Sequence, residues 1–179
     1  MEVRRLSRKG NDMIMHNKQL SINRYLWIIL AIIFIGSCAP NNPLSEYLKL
    51  VDELEESYTS ELGVIAKNYP TVFDEKLSQS ASRDSLLLSF EGYWSEAIPV
   101  TEKAIMNHRK LSPPESAITY HNSMQRFLED SKTIYSDGLY ALKHDLTQML
   151  DVMARVNAME YERSRLVDLR HSLWDQATK

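Results

Sequence analysis

The fold class predicted from the sequence is all-α, an up-down-up-down four-helix bundle over residues 43–179. Three observations predict it. Apolar residues recur at steps of three and four through four long stretches, the spacing that lines one face of a helix. Strand-like alternation is absent, and beyond residue 42 the only glycines are Gly63, Gly92 and Gly138, each isolated. The stretches are separated by short segments rich in prolines and capping residues, which favours antiparallel neighbours.

The first helix opens with Asn42 as cap and Pro43 at the first helical position, where a missing N–H costs nothing. Its apolar stripe is Leu44, Leu48, Val51, Leu54, Tyr58, Leu62 and Ile65. Tyr69-Pro70 ends it, because a residue before proline is pushed out of the helical region. A polar connector, DEKLSQSASRD, follows, with Phe73 and Leu77 on a short turn of helix. The second helix runs from about Ser82 to Lys110, with Leu86, Phe90, Trp94, Ile98 and Ile105 on one side. Pro99 falls inside it and predicts a kink, read as a bend around the core in preference to a ligand pocket.

The third helix opens at SPPE, where Ser112 and Glu115 have capping-box spacing and Pro113 and Pro114 suit a first turn. Its stripe is Ile118, His121, Met124, Leu128, Tyr135 and Leu142, and it continues through the turn-like Ser136-Asp137-Gly138. The break falls better at Lys143-His144, with Asp145 capping and Gln148 three residues on. The fourth helix runs to about Gln176. Its Val152, Met159, Leu166 and Leu173 recur every seven residues, which suits near-antiparallel packing.

The N-terminal part has a different character. Between Arg24 and Cys38 lie thirteen uncharged, mostly apolar residues, Tyr25 to Ser37. As a helix they rise about 20 Å against a hydrocarbon core of roughly 30 Å, too short for a comfortable span. Residues 1–24 carry six basic side chains against two acidic ones. A positive region before a short apolar run is the pattern of an export signal, whether translation starts at Met1, Met13 or Met15. Ile35-Gly36-Ser37-Cys38 resembles the lipobox of bacterial lipoproteins: a branched apolar residue, two small residues, then cysteine. The resemblance implies a diacylglycerol thioether on Cys38 and cleavage before it, so that residues 1–37 form a signal peptide and 38–42 a lipidated cysteine with a short tether. The competing readings are an uncleaved signal anchor and a chance cysteine after an ordinary export signal. Cys38 is the only cysteine, so the exported domain has no disulfide. Ala39, where an Asp resembles an inner-membrane retention signal, leaves both the plasma membrane and an outer membrane open, on the extracytoplasmic side.

Without residues 1–37 the chain carries 15 basic and 22 acidic side chains, a net of −7. That excludes the clustered basic surface that nucleic acid requires and opposes adhesion to anionic headgroups. Reaction signatures are absent: no Glu-x-x-His pair for a di-iron bundle, no HExxH, no haem-attachment motif, no phosphate loop and no nucleophile elbow. No cofactor is expected. His121, near the third stripe, is the one candidate contact for a ligand or partner, and its ordinary role is a hydrogen bond to a neighbouring helix or loop. His144 reads as solvated at a turn, and His171 as a helix-face partner of Asp175. Met106, Met124, Met149, Met153 and Met159 read as core filler, Trp94 and Trp174 as core, and the DELEE run, Asp52 to Glu56, as a solvated face.

The segment LSPPESAITYH, two prolines followed by seven residues to His121, resembles the start of a recurring helical lipoprotein domain over about residues 111–142. The resemblance implies the fold and the register of His121, and no activity. The functional expectation is a non-enzymatic envelope lipoprotein, a protein-interaction or structural module held at a membrane by acylated Cys38, with an envelope protein as partner and no nucleic acid. The alternative is a small-ligand or metal-binding bundle around His121 and Pro99. A hydrolase ranks last, for want of a polar cluster.

Overall fold

The computed structural model describes residues 42–179; the signal peptide, Cys38 and the rest of the tether before Asn42 lie outside the described residues. Six α-helices follow in order: α1 Pro43–Asn68, α2 Pro70–Phe73, α3 Glu75–Ser80, α4 Arg83–His108, α5 Ile118–His144 and α6 Met149–Ala177. The four long ones pack in a ring, α1 on α4, α4 on α5, α5 on α6 and α6 back on α1. This is a four-helix bundle, as the apolar periodicity requires. Among the described residues no helix is long and apolar enough to cross a membrane.

The ends follow local chemistry. The Asn42 side chain accepts a hydrogen bond from the Leu44 backbone N–H at 3.0 Å, satisfying an orphan donor of the first turn. Its amide nitrogen donates to the Ala177 carbonyl at 2.9 Å, so one side chain ties the start of the bundle to its last helix. Tyr69 leaves the helical region before Pro70, as expected, and the polar connector forms the two short helices α2 and α3. The Ser82 side chain caps α4. Asp145 marks the break between α5 and α6, where its carboxylate takes the Thr147 N–H and the Gln148 side-chain amide. α4 runs unbroken through Pro99, which is exposed, as is Ser95, whose carbonyl has lost its in-helix donor.

The start of α5 departs from expectation. Ser112 and Glu115 form no capping box; the chain stays extended through Pro114 (φ −66°, ψ 161°), and a 3-10 turn, Glu115–Ala117, leads into α5 without a side-chain cap. Consecutive prolines explain this, since Pro114 forces Pro113 out of the helical region and delays the first turn.

The stripes of α4 and α5 also differ from the sequence reading, and for one reason. The buried positions on α4 are Tyr93, Trp94, Ala97, Thr101, Ala104, Ile105 and His108. On α5 and the turn before it they are Ala117, Tyr120, Met124, Leu128, Ser131, Ile134, Gly138 and Ala141. Small and polar residues hold the interior line while Ile118 is 45% exposed. They let two backbones approach and accept large side chains opposite. A Cβ added at Gly138 would stand 2.5–2.7 Å from three carbons of the Trp94 ring.

Two apolar clusters fill the interior. One joins Leu48, Val51, Met124, Leu128, Leu166 and Leu173 toward the end where α1 begins, and the other joins Ile65, Trp94, Ala97, Ile134 and Val152 toward the opposite end. The fully buried hydroxyls of Thr101 and Ser131 are satisfied within their own helices, donating to the Ala97 and Phe127 carbonyls. Thr101 Oγ1 in turn receives Tyr58 from α1 at 3.3 Å. The sevenfold line of α6 is buried at Val152, Leu166 and Leu173 and half-buried at Met159.

Gly138→Ala tests the close approach. Driving a methyl into the Trp94 ring is expected to destabilise the domain by about 1–3 kcal/mol, the range for overpacking a filled core, read as a lower urea midpoint with an unchanged slope. Replacing the exposed Gly63, which has no atom within 4 Å of an added Cβ, is expected to cause no loss.

Candidate functional site

His121 lies at the end of the bundle where α1 begins, and its environment is a cluster of polar groups. His108, the last residue of α4, is fully buried, and its ring stacks on that of His121 with centroids 4.2 Å apart and planes 19° from parallel. From α1, the Tyr47 hydroxyl meets His121 Nδ1 at 3.1 Å, which is the neighbouring-helix bond expected of His121. On the other side His108 Nδ1 meets Gln125 Oε1 at 2.9 Å, while Gln125 Nε2 donates to Glu129 Oε1 at 2.6 Å. Arg109 donates to the same carboxylate oxygen at 2.7 Å.

This network assigns the protons. Gln125 spends its amide N–H on Glu129, so it presents a carbonyl oxygen to His108, and His108 Nδ1 must be the N–H donor. His108 Nε2 is then a bare lone pair, buried and, among the described residues, without a partner. Between the Tyr47 hydroxyl and His121 Nδ1 the donor follows the His121 tautomer. Burial lowers the His108 pKa below its ordinary value, against a smaller upward pull from Gln125. Burial also lowers that of His121, and the neighbouring His108 lowers it further. Tyr47 is pushed up by burial and by Glu55, and Glu129 is held down by its hydrogen bonds to Gln125 and Arg109. Near neutral pH the two imidazoles are therefore an uncharged stacked pair.

The stack limits the chemistry available. Imidazole lone pairs lie in the ring planes, so two nearly parallel rings cannot direct them at one ion. Among the described residues no group of three or more His, Cys, Asp or Glu is placed to hold a metal. Among the described residues no nucleophile stands within hydrogen-bond reach of the imidazole nitrogens apart from the Tyr47 phenol, whose raised pKa keeps it protonated.

Beside the pair a second network links three helices. Tyr120 of α5 donates to Glu55 Oε1 of α1 at 2.6 Å. Arg170 of α6 pairs with Glu55 Oε2 and lies 3.4 Å from Asp52 Oδ1. Trp174 Nε1 donates to Asp52 Oδ2 at 3.2 Å. The DELEE run is thus divided. Glu53 and Glu56 are exposed, whereas Asp52 and Glu55 belong to a half-buried polar seam, so the reading as a solvated face is corrected for those two. Burial raises the Tyr120 pKa most, with Glu55 adding to it.

Other sequence candidates are dispersed. His144 is exposed at the α5–α6 break and packs on the Tyr140 ring. His171 faces the α1–α6 groove with Asp52, Arg163 and Arg170 and, among the described residues, makes no ion pair with Asp175. Met124 is core and Met149, Met153 and Met159 are half-buried, but Met106 is 58% exposed and is no core filler. His108 was missed as a site residue. Its only sequence signal is its place three residues after Ile105 on the interior line of α4.

Compared with family models, curated proteins and solved structures, the chain matches none.

Two outcomes follow from these geometries. Tyr120→Phe removes a donor from the half-buried Glu55 and is expected to cost about 1–3 kcal/mol, measured by urea denaturation at pH 7. The histidines give stability a pH dependence. Their folded pKa values lie below the ordinary 6.5, so on acidification the unfolded chain takes up protons first. Stability is therefore fully present above about pH 6.5 and is lost as pH falls from there toward the folded values; urea midpoints between pH 7.5 and 5.5 check the sign.

Proposed function

We propose that the chain is a membrane-anchored envelope lipoprotein: exported on residues 1–37, lipidated on Cys38, and acting without catalysis as a protein-interaction or structural module close to the membrane. The observation that carries this reading is Ile35-Gly36-Ser37-Cys38 directly behind a thirteen-residue apolar run, with the helical body beginning at Pro43. An acyl chain contributes about 0.8 kcal/mol for each buried CH₂, and two or more chains hold a protein far longer than one. Four residues, Ala39 to Asn42, separate Cys38 from Pro43, and extended they reach at most about 14 Å. In this reading so short a tether leaves the start of α1 little freedom to move away from the lipidated cysteine.

The opposite end supports a partner role. There α2, α3, the start of α4 and the α5–α6 break come together, and Phe73, Leu77, Leu88, Tyr140, Leu146 and Leu150 are all exposed, Leu150 at 82%. In the lipoprotein reading these side chains belong to the end away from the tether, where an envelope protein has access.

Cys38→Ser tests the attachment. Metabolic palmitate labelling of the unaltered chain is expected to mark the protein, and the substitution to abolish the label and release the body from the membrane fraction. Undiminished label on Cys38→Ser refutes the site. Crosslinking in intact cells followed by detergent extraction tests the partner role, and recovery of no envelope protein counts against it.

A further inference from the structure

We propose that the stacked His108–His121 pair is an acid-released latch that closes the end of the bundle where α1 begins: with both rings neutral it holds the 109–117 connector and the first turns of α5 against α1, and on protonation it lets them open while the rest of the bundle stays folded.

The geometry supplies each part. His108 is the final residue of α4 and His121 lies in the first turns of α5, so their stack bridges the two ends of the connector. The Tyr47–His121 bond extends the bridge to α1. A proton arriving from solvent has one place on His108, the bare Nε2, and the N–H formed there has no acceptor while the end stays closed. A second proton, on His121, would put two cations 4.2 Å apart, an arrangement that like charges oppose. In the open end both rings reach water and both take protons freely.

The surrounding charges do not cancel this. From α1 the titratable groups facing the pair are Tyr47 and, behind it, Glu55. Glu55 is already engaged by Tyr120 of α5 and Arg170 of α6. Directly after α4, Arg109 adds positive charge and is paired with Glu129. Glu129 of α5 reaches His108 only through Gln125, whose amide is fixed with its oxygen toward the ring. The connector offers little regular structure to hold this end closed. It has no regular structure from Leu111 to Pro114, and the 3-10 turn after it lacks a side-chain cap. Ends with few internal hydrogen bonds open locally before a bundle unfolds.

Hydrogen–deuterium exchange on the full chain in detergent micelles, at pH 7.5 and 5.5 and corrected for intrinsic exchange, tests the latch. Two imidazoles neutral when closed and free when open raise the opening equilibrium by up to about a hundredfold over this interval. Protection is expected to fall at least severalfold, within that ceiling, in residues 109–125 and to change little in 84–100 and 150–165. His121→Gln, which keeps an oxygen for the Tyr47 hydroxyl, is expected to cut the acid effect in the same segment to at most about tenfold, the ceiling for one imidazole. An acid response spread evenly over all four long helices overturns the latch even if stability falls with pH. So does unchanged protection in 109–125, or an acid response that survives His121→Gln undiminished. Should the variant fail to fold, the regional pattern of the unaltered chain decides by itself.

Discussion

The close approach of α4 and α5 is the constraint on which the rest of the structure depends. Trp94 lies over Gly138, and no other residue type leaves room for the ring at that crossing. Because the helices are antiparallel, this one contact sets their register along the whole length. About four turns further along α4 and four turns back along α5, His108 arrives between His121 and Gln125. The outward signs of the same register are three ion pairs, Glu91–Lys143, Glu102–Lys132 and Arg109–Glu129. Exposed as they are, such pairs contribute little to stability; what they report is alignment.

Within that register the interior is not uniformly apolar. Hydroxyls of Tyr58, Thr101 and Ser131 interrupt it near the middle, and the histidine pair with Tyr47 closes one end. A buried polar group is costly unless partnered, and nearly all of these are partnered. The exception, His108 Nε2, is acceptable because a bare imidazole nitrogen is uncharged and forfeits only a hydrogen bond. The same atom becomes costly once it gains a proton. One side-chain choice therefore makes a stable end at neutral pH and a weak one in acid.

The two functional readings engage the same end of the molecule by separate routes. In the lipoprotein reading the tether enters at Asn42, whose side chain caps α1 and holds the Ala177 carbonyl. The histidine pair closes the α4–α5 connection at that end. In that reading the other end, where Leu146 and Leu150 are exposed, is the one left for a partner. Neither route invokes a reaction.

Much of this was legible in the residues alone. Pro43 behind Asn42, Tyr69 before Pro70 and Asp145 before Gln148 mark helix ends through backbone sterics and capping, which act over a few residues and need no tertiary partner. The continuation of α5 through Ser136-Asp137-Gly138 was also readable, because the apolar periodicity persists on both sides. Tertiary structure decided which face is buried. Ala97, Thr101, Ser131, Gly138 and Ala141 carry almost no hydropathy signal, yet they form the interior line, since close helix approach selects for small volume. Tertiary structure likewise brought His108 to His121, and Asp52 and Glu55 to Arg170. Residues so far apart in the chain interact only after packing has set the register, and no local pattern encodes that distance.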